Sequence, residues 1–208
     1  MVTKAHSTTY KGILSEEDRE LEQATRQARL HAWTSLVSWL RDGEGIFHIS
    51  GKAGSGKSTL IKFLLDHDQT RKELERCPNN DQLLLARFFF WRAGGKLQRS
   101  LEGLYRAILF EILTQIPHLV RDVFPDAYNA FSDSGSGVVI DEPYFRPRHL
   151  EKGMERLISK SPYPGYRICL VIDGLDEYGE DGNDSLQHEL LVEQLLAWVA
   201  RGGIKISA

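Results

Sequence analysis

Apolar residues fall into short clusters whose spacing changes along the chain, and the changes mark the elements. Trp33, Leu36, Val37 and Leu40 recur at i, i+3, i+4 and i+7, the stripe of a helix that lays one face on a core. An earlier helix start is read at Ser15, an N-cap hydroxyl followed by Glu16, Glu17 and Asp18 at the positive end of the helix dipole. Asp42-Gly43 and Gly45 stop the helical run. Residues 46–49 (Ile-Phe-His-Ile) make a short apolar strand, and Leu60, Ile61, Phe63, Leu64 and Leu65 crowd as on a helix. Residues 83–91 are almost continuously apolar. That predicts a strand covered on both faces of a parallel sheet, its aromatic end, 88–91, included. From Leu101 the positions Leu104, Tyr105, Ile108, Leu109, Ile112, Leu113 and Ile116 keep the 3.6 period until Pro117 closes it.

Between 131 and 147 the chain turns to Ser, Gly, Asp and Pro and reads as a surface excursion, not a domain boundary. Leu150, Met154, Leu157 and Ile158 then predict a helix, 168–172 a buried strand, and Leu186, Leu190, Leu195 and Val199 a further helix behind Asp184-Ser185. After Gly202-Gly203, Ile204, Lys205 and Ile206 begin a strand. Strands alternating with helices predict an α/β fold: a mostly parallel sheet flanked by helices, with right-handed crossovers. The division is a helical N-terminal segment, 1–44, packed on a core that runs from 45 to 208. A chain that finishes inside a strand reads as truncated at its C-terminus.

Composition narrows the function classes. The 208 residues carry 26 Lys+Arg against 29 Asp+Glu, a formal charge of −3, with basic residues dispersed among acids and no aromatic-basic stacking pattern. Nucleic-acid binding is therefore not expected. No run approaches the roughly 20 apolar residues of a membrane span, and the start lacks a signal-peptide core, so no membrane association and a cytoplasmic location are expected. Cys77 and Cys169 stand far apart without a CxxC, which suits reduced thiols, and the seven His lack metal-ligand spacing.

The candidate chemistry begins at Gly51-Lys52-Ala53-Gly54-Ser55-Gly56-Lys57-Ser58-Thr59, which satisfies G-x-x-x-x-G-K-[ST] after a predicted strand and at the start of a predicted helix. Glycine lets the backbone curl around a phosphate while successive N–H groups point inward, and the helix N-terminus adds partial positive charge. Lys57 reaches the β- and γ-phosphate oxygens, the Ser58 hydroxyl ligates Mg²⁺, and Thr59 assists at the α-phosphate. A hard cation needs a further oxygen ligand, expected at the end of a neighbouring buried strand. Asp173, closing Ile168-Cys169-Leu170-Val171-Ile172-Asp173, fits that role. Asp176 and Glu177 follow in Gly174-Leu175-Asp176-Glu177; they are either the residues that orient or deprotonate the attacking water, or part of a solvated acidic loop that continues through Glu180, Asp181 and Asp184.

With these motifs together, the sequence resembles the NACHT-type P-loop NTPases of the STAND class, especially the fungal NOD-like-receptor and nephrocystin-like versions. The resemblance rests on the stretch from Ile46 through Leu60, on Phe88-Phe89-Phe90-Trp91 with the helix that follows, and on Leu170-Val171-Ile172-Asp173-Gly174-Leu175-Asp176-Glu177. It implies an ATP-binding (or GTP-binding), Mg²⁺-dependent switch in innate-immune signalling, with slow hydrolysis and nucleotide-dependent oligomerisation. It also implies protein partners, or in-chain effector and repeat domains beyond this stretch, and brings residues 6–10 near the adenine. Two other classes stay open at this level. One is a turnover ATPase or small-molecule kinase, for which Arg87, Arg92 and Arg99 are candidate lid arginines; the other is a non-enzymatic interaction module.

Overall fold

The computed structural model describes residues 35, 38–39, 42–49, 57–66, 68, 72, 81–134, 145–161, 163–179 and 185–207. Most of the segment 1–44 therefore lies outside the described residues, although Ser35, Ser38, Trp39 and Asp42 are helical as the stripe predicts. The strands are β1 (Gly45–Phe47), β2 (Gln82–Phe89), β3 (Tyr166–Asp173) and β4 (Ile204–Ser207). Helix α1 (Lys57–Asp66) follows β1. Between β2 and β3 come α2 (Leu101–Gln115), the single turn α3 (Val120–Val123), α4 (Pro125–Ser134) and α5 (Pro147–Ser159), and α6 (Ser185–Ala200) joins β3 to β4.

All pairings are parallel and the order is β1-β4-β3-β2. The α/β class predicted from the alternation of elements is thus observed, and the last strand lies between the first and the third. Burial explains the placement. Every residue of β4, and β3 from Ile168 onward, is buried, as in strands covered on two faces and flanked on two sides, whereas β1 and β2 hold half-exposed positions suited to the rims.

The sheet separates two cores. On one face Leu84, Ala86, Leu170, Ile172 and Ile206 meet α2 (Leu104, Ile108, Ile112), α5 (Leu157, Ile158) and α6 (Leu191, Leu195). Each such buried aliphatic side chain contributes about 1.5–3 kcal/mol relative to exposure. The Tyr105 hydroxyl in this core accepts a hydrogen bond from Gln194 Nε2 at 2.8 Å, yet burial keeps its pKa above the ordinary phenol value. On the other face Cys169 and Val171 meet Ile61 of α1 and Trp39. Lys205 is the exception there: a cation 2% exposed in a central strand, its ammonium donating to the Trp39 carbonyl at 3.4 Å and lying 5.2 Å from the Trp39 ring centre. The Trp39 indole in turn donates to the Glu44 carbonyl at 3.2 Å, so Trp39 joins the residue before β1 to Lys205 in the middle of the sheet.

Three expectations change. The aromatic run does not stay in the core to its end: β2 stops at Phe89, Phe90 is buried, and Trp91 is 39% exposed. As the rim strand, β2 has a strand neighbour on one side only, and its last residues are less covered than those of β3. Second, α6 buries Leu191, Leu195 and Trp198 and leaves Leu186 and Leu190 exposed. Its apolar residues lie nearly all round the helix, so spacing alone does not say which row faces inward. Third, the excursion begins later than predicted, because α4 carries helix to Ser134. Pro117 and Pro125 each open a helical turn, where a missing N–H costs nothing.

The outer rim of β2 is closed by side chains of α2. Leu85 N–H donates to Gln115 Oε1 at 3.3 Å, Gln115 Nε2 donates to the Leu85 carbonyl at 2.9 Å, and Arg87 N–H donates to Glu111 Oε2 at 2.8 Å. One amide and one carboxylate replace the main chain of a missing neighbour.

Candidate functional site

Because the strands run parallel, Phe47, Phe89, Asp173 and Ser207 end on one edge of the sheet. In open α/β sheets that edge is where ligands bind. Lys57, Ser58 and Thr59 form the first turn of α1 and are half-buried. That turn contains no acidic residue, so the positive end of the helix is not offset from within the helix. Gly51, Lys52, Ala53, Gly54, Ser55 and Gly56 lie outside the described residues, as do residues 6–10.

Asp173 is the last residue of β3, paired in register with Phe89, and is 7% exposed. No hydrogen bond or ion pair joins its carboxylate to another described residue. One strand, β4, lies between β3 and β1, so the strand bearing the carboxylate is two strand steps from β1. At about 4.8 Å per strand step this puts the two strand axes on the order of 10 Å apart. Gly174 then turns the chain in the left-handed region, at φ 72 and ψ 33. A Cβ there would stand 2.7 Å from the Phe90 carbonyl oxygen, so the glycine between the two parts of the acidic motif is required twice over, by dihedral and by close approach.

Leu175, Asp176 and Glu177 form a single 3₁₀ turn. Asp176 is exposed and Glu177 half-buried. Glu177 Oε2 accepts the Arg92 main-chain N–H at 2.8 Å, and Arg92 Nη2 donates to the Asp176 carbonyl at 2.6 Å. Arg87 Nε lies 3.8 Å from Glu111 at the rim of β2, and the Arg99 carbonyl accepts Gly179 N–H at 3.0 Å. Sequence reasoning missed the contact between Arg92 and the acidic turn, because 84 residues separate its partners and no local pattern signals it. It missed the buried setting of Lys205 too, for which a lone Lys inside an apolar strand was the available sign.

A groove of about 820 Å³ lies elsewhere, on the α2 side of the sheet, lined by apolar side chains such as Phe88, Leu113, Phe124, Tyr128 and Phe131. Phe110, 72% exposed, stands at it. Among the described residues no group of three or more His, Cys, Asp or Glu is placed to hold a metal ion, and no helix is long and apolar enough to cross a membrane.

No curated protein and no solved structure matches the chain. The family model described as "Nephrocystin 3, N-terminal" matches residues 28–207, a span that includes the Lys57 turn, Asp173 and the acidic turn. By that match the chain belongs to the nephrocystin-3 N-terminal family.

Proposed function

We propose that the chain is a Mg²⁺-dependent nucleoside-triphosphate-binding switch module with a P-loop NTPase fold of the NACHT type, ATP being the preferred nucleotide over GTP. The observation that carries this reading is the place of Asp173: 7% exposed, last residue of β3, its carboxylate joined to no other described residue, in a chain whose Gly51 to Thr59 motif leads into α1. A Ser hydroxyl and one carboxylate fit Mg²⁺, which takes few protein ligands and completes its shell with phosphate oxygens and water.

In this reading Gly51, Lys52, Ala53, Gly54, Ser55 and Gly56 wrap the phosphates with main-chain N–H groups, and Lys57 supplies a point charge to the terminal pair. Ser58 and Asp173 hold the metal, and Thr59 contacts the innermost phosphate. Bound Mg²⁺ supplies charge neutralisation at the terminal phosphates. Asp176 or Glu177 orients the water in a slow hydrolysis. The bound state is read by protein partners or by further domains of a signalling protein of the NOD-like-receptor kind, in innate immunity and in the cytoplasm, through nucleotide-dependent oligomerisation.

The test is titration calorimetry with ATP, GTP and Mg²⁺. Wild type is expected to bind Mg-ATP and Lys57→Ala to lose binding while its circular dichroism is unchanged. Asp173→Asn is expected to weaken binding in the presence of Mg²⁺ far more than in EDTA. Absence of binding in folded wild type, or equal affinity of wild type and Lys57→Ala, would overturn the reading.

A further inference from the structure

The turn bearing Asp176 and Glu177 rests on the stretch that follows β2. Phe90 N–H donates to the Asp173 carbonyl at 2.9 Å, one step past the last register pair, and the Phe90 and Tyr178 rings meet edge to face at 5.4 Å. Gly179 N–H reaches the Arg99 carbonyl at 3.0 Å. These contacts fix the two ends of the turn. Arg92 alone among these residues touches both acidic residues in its middle. Its main-chain N–H holds Glu177 Oε2 at 2.8 Å, and its guanidinium holds the Asp176 carbonyl at 2.6 Å.

The consequence is a division between two adjacent acids. One oxygen of Glu177 is spent on a main-chain donor, and the residue is half-buried. Asp176 is held only through its carbonyl; its carboxylate is exposed, and no hydrogen bond or ion pair joins it to another described residue. Arg92 also sets a positive charge beside a turn that, with Asp173, carries three carboxylates within five residues.

We propose that Arg92 is a positioning residue of the nucleotide site: it anchors Glu177, presents Asp176, and so sets where the Asp176 carboxylate meets the attacking water. The inference rests on the nucleotide reading above and deepens it. In the step concerned, water oxygen bonds to the terminal phosphorus and the bond from that phosphorus to the bridging oxygen breaks. The bond's electron pair stays on the nucleoside diphosphate, and the water's proton passes to Asp176. Misplacing such a base lowers the rate without touching the groups that hold the phosphates.

The experiment measures Mg-ATP affinity by calorimetry and single-turnover phosphate release on the full chain, for wild type, Arg92→Ala, Arg92→Lys, Asp176→Asn and Glu177→Gln. Arg92→Ala is expected to slow release about tenfold with the Kd within about twofold of wild type. Arg92→Lys recovers most of the rate, because one ammonium donor still reaches a carbonyl. Asp176→Asn slows release at least as much as Arg92→Ala, and adding Arg92→Ala to it slows release no further. Glu177→Gln keeps an acceptor for the Arg92 N–H and slows release less than Asp176→Asn does.

The assignment is overturned if Arg92→Ala releases phosphate as fast as wild type, if it loses affinity in step with rate, or if Glu177→Gln is slower than Asp176→Asn. Should the alanine variant fail to fold, Arg92→Lys carries the test: a rate between those of wild type and Asp176→Asn at unchanged affinity supports the assignment, and any other result overturns it. Wild type that binds Mg-ATP but releases no phosphate removes this inference and leaves nucleotide binding standing. Wild type that does not bind removes both.

Discussion

Replacing Gly174 with alanine tests the geometry on which the acidic motif depends. Two costs are separable. The residue sits at φ 72, and an L side chain in that region costs about 1–2 kcal/mol. The new Cβ would stand 2.7 Å from the Phe90 carbonyl oxygen, a distance real Cβ atoms do not show. That carbonyl cannot withdraw freely, because Phe90 N–H is bonded to the Asp173 carbonyl at 2.9 Å. Relieving such a contact in a packed region costs about 1–3 kcal/mol. The sum is centred at about 3.5 kcal/mol, and at about 2–4 °C per kcal/mol for a chain of this size it lowers the melting temperature by about 7–14 °C. Gly165 is the internal control: its φ is 78, and nothing lies within 4 Å of the position a Cβ would take. Gly165→Ala therefore incurs the dihedral cost alone, about 1–2 kcal/mol. The stiffening of the unfolded chain is the same in both variants and cancels in their difference. Thermal and urea unfolding followed by far-ultraviolet circular dichroism reads both. Equal losses in the two variants would show that the close approach of Gly174 to Phe90 is not real, and no loss in Gly174→Ala would refute the positive φ as well.

Two further outcomes follow from side chains away from the strand ends. Burial, and after it the charge of Asp122, pushes the Tyr163 phenol up to about 12, and its hydroxyl donates to the Leu157 carbonyl at 2.8 Å. Because the folded pKa lies above the unfolded value of about 10, this contribution is intact below pH 10 and is lost between about pH 10 and 12. Discounted for partial solvation, the loss is on the order of 1 kcal/mol; Tyr163→Phe should remove that step from a plot of urea stability against pH, and an unchanged step would count against the assignment. Gln115→Ala uncovers the Leu85 N–H and carbonyl at the rim of β2. It should lower stability by about 0.5–1.5 kcal/mol and raise self-association with concentration in light scattering, since an open strand edge pairs with its own kind. A variant as monodisperse and as stable as wild type would mean that the amide does not guard the edge.

Local regularities made much of this protein readable from its residues alone. The 3.6 spacing of Leu104, Ile108 and Ile112 and the solid apolar run of 168–172 sufficed for α2 and β3, because helix and strand are repeats that a few neighbours define. The same locality set Lys57, Ser58 and Thr59 in the first turn of a helix and Asp173 at the end of a strand. What the sequence could not decide is everything that depends on which surfaces meet. The last strand enters the centre of the sheet, because burial on two faces and two sides is a property of neighbours and not of Ile204 or Ile206 alone. Leu191 rather than Leu190 faces the core for the same reason. The contact of Arg92 with Asp176 and Glu177 spans a distance in sequence over which no periodicity operates, and only the folding of β2 against β3 creates it. Residue types and their spacing determined the elements and the groups offered to a ligand; the tertiary structure decided which of those groups are covered, which are anchored and which remain open, since free energies of burial and pairing belong to contacts and not to single residues.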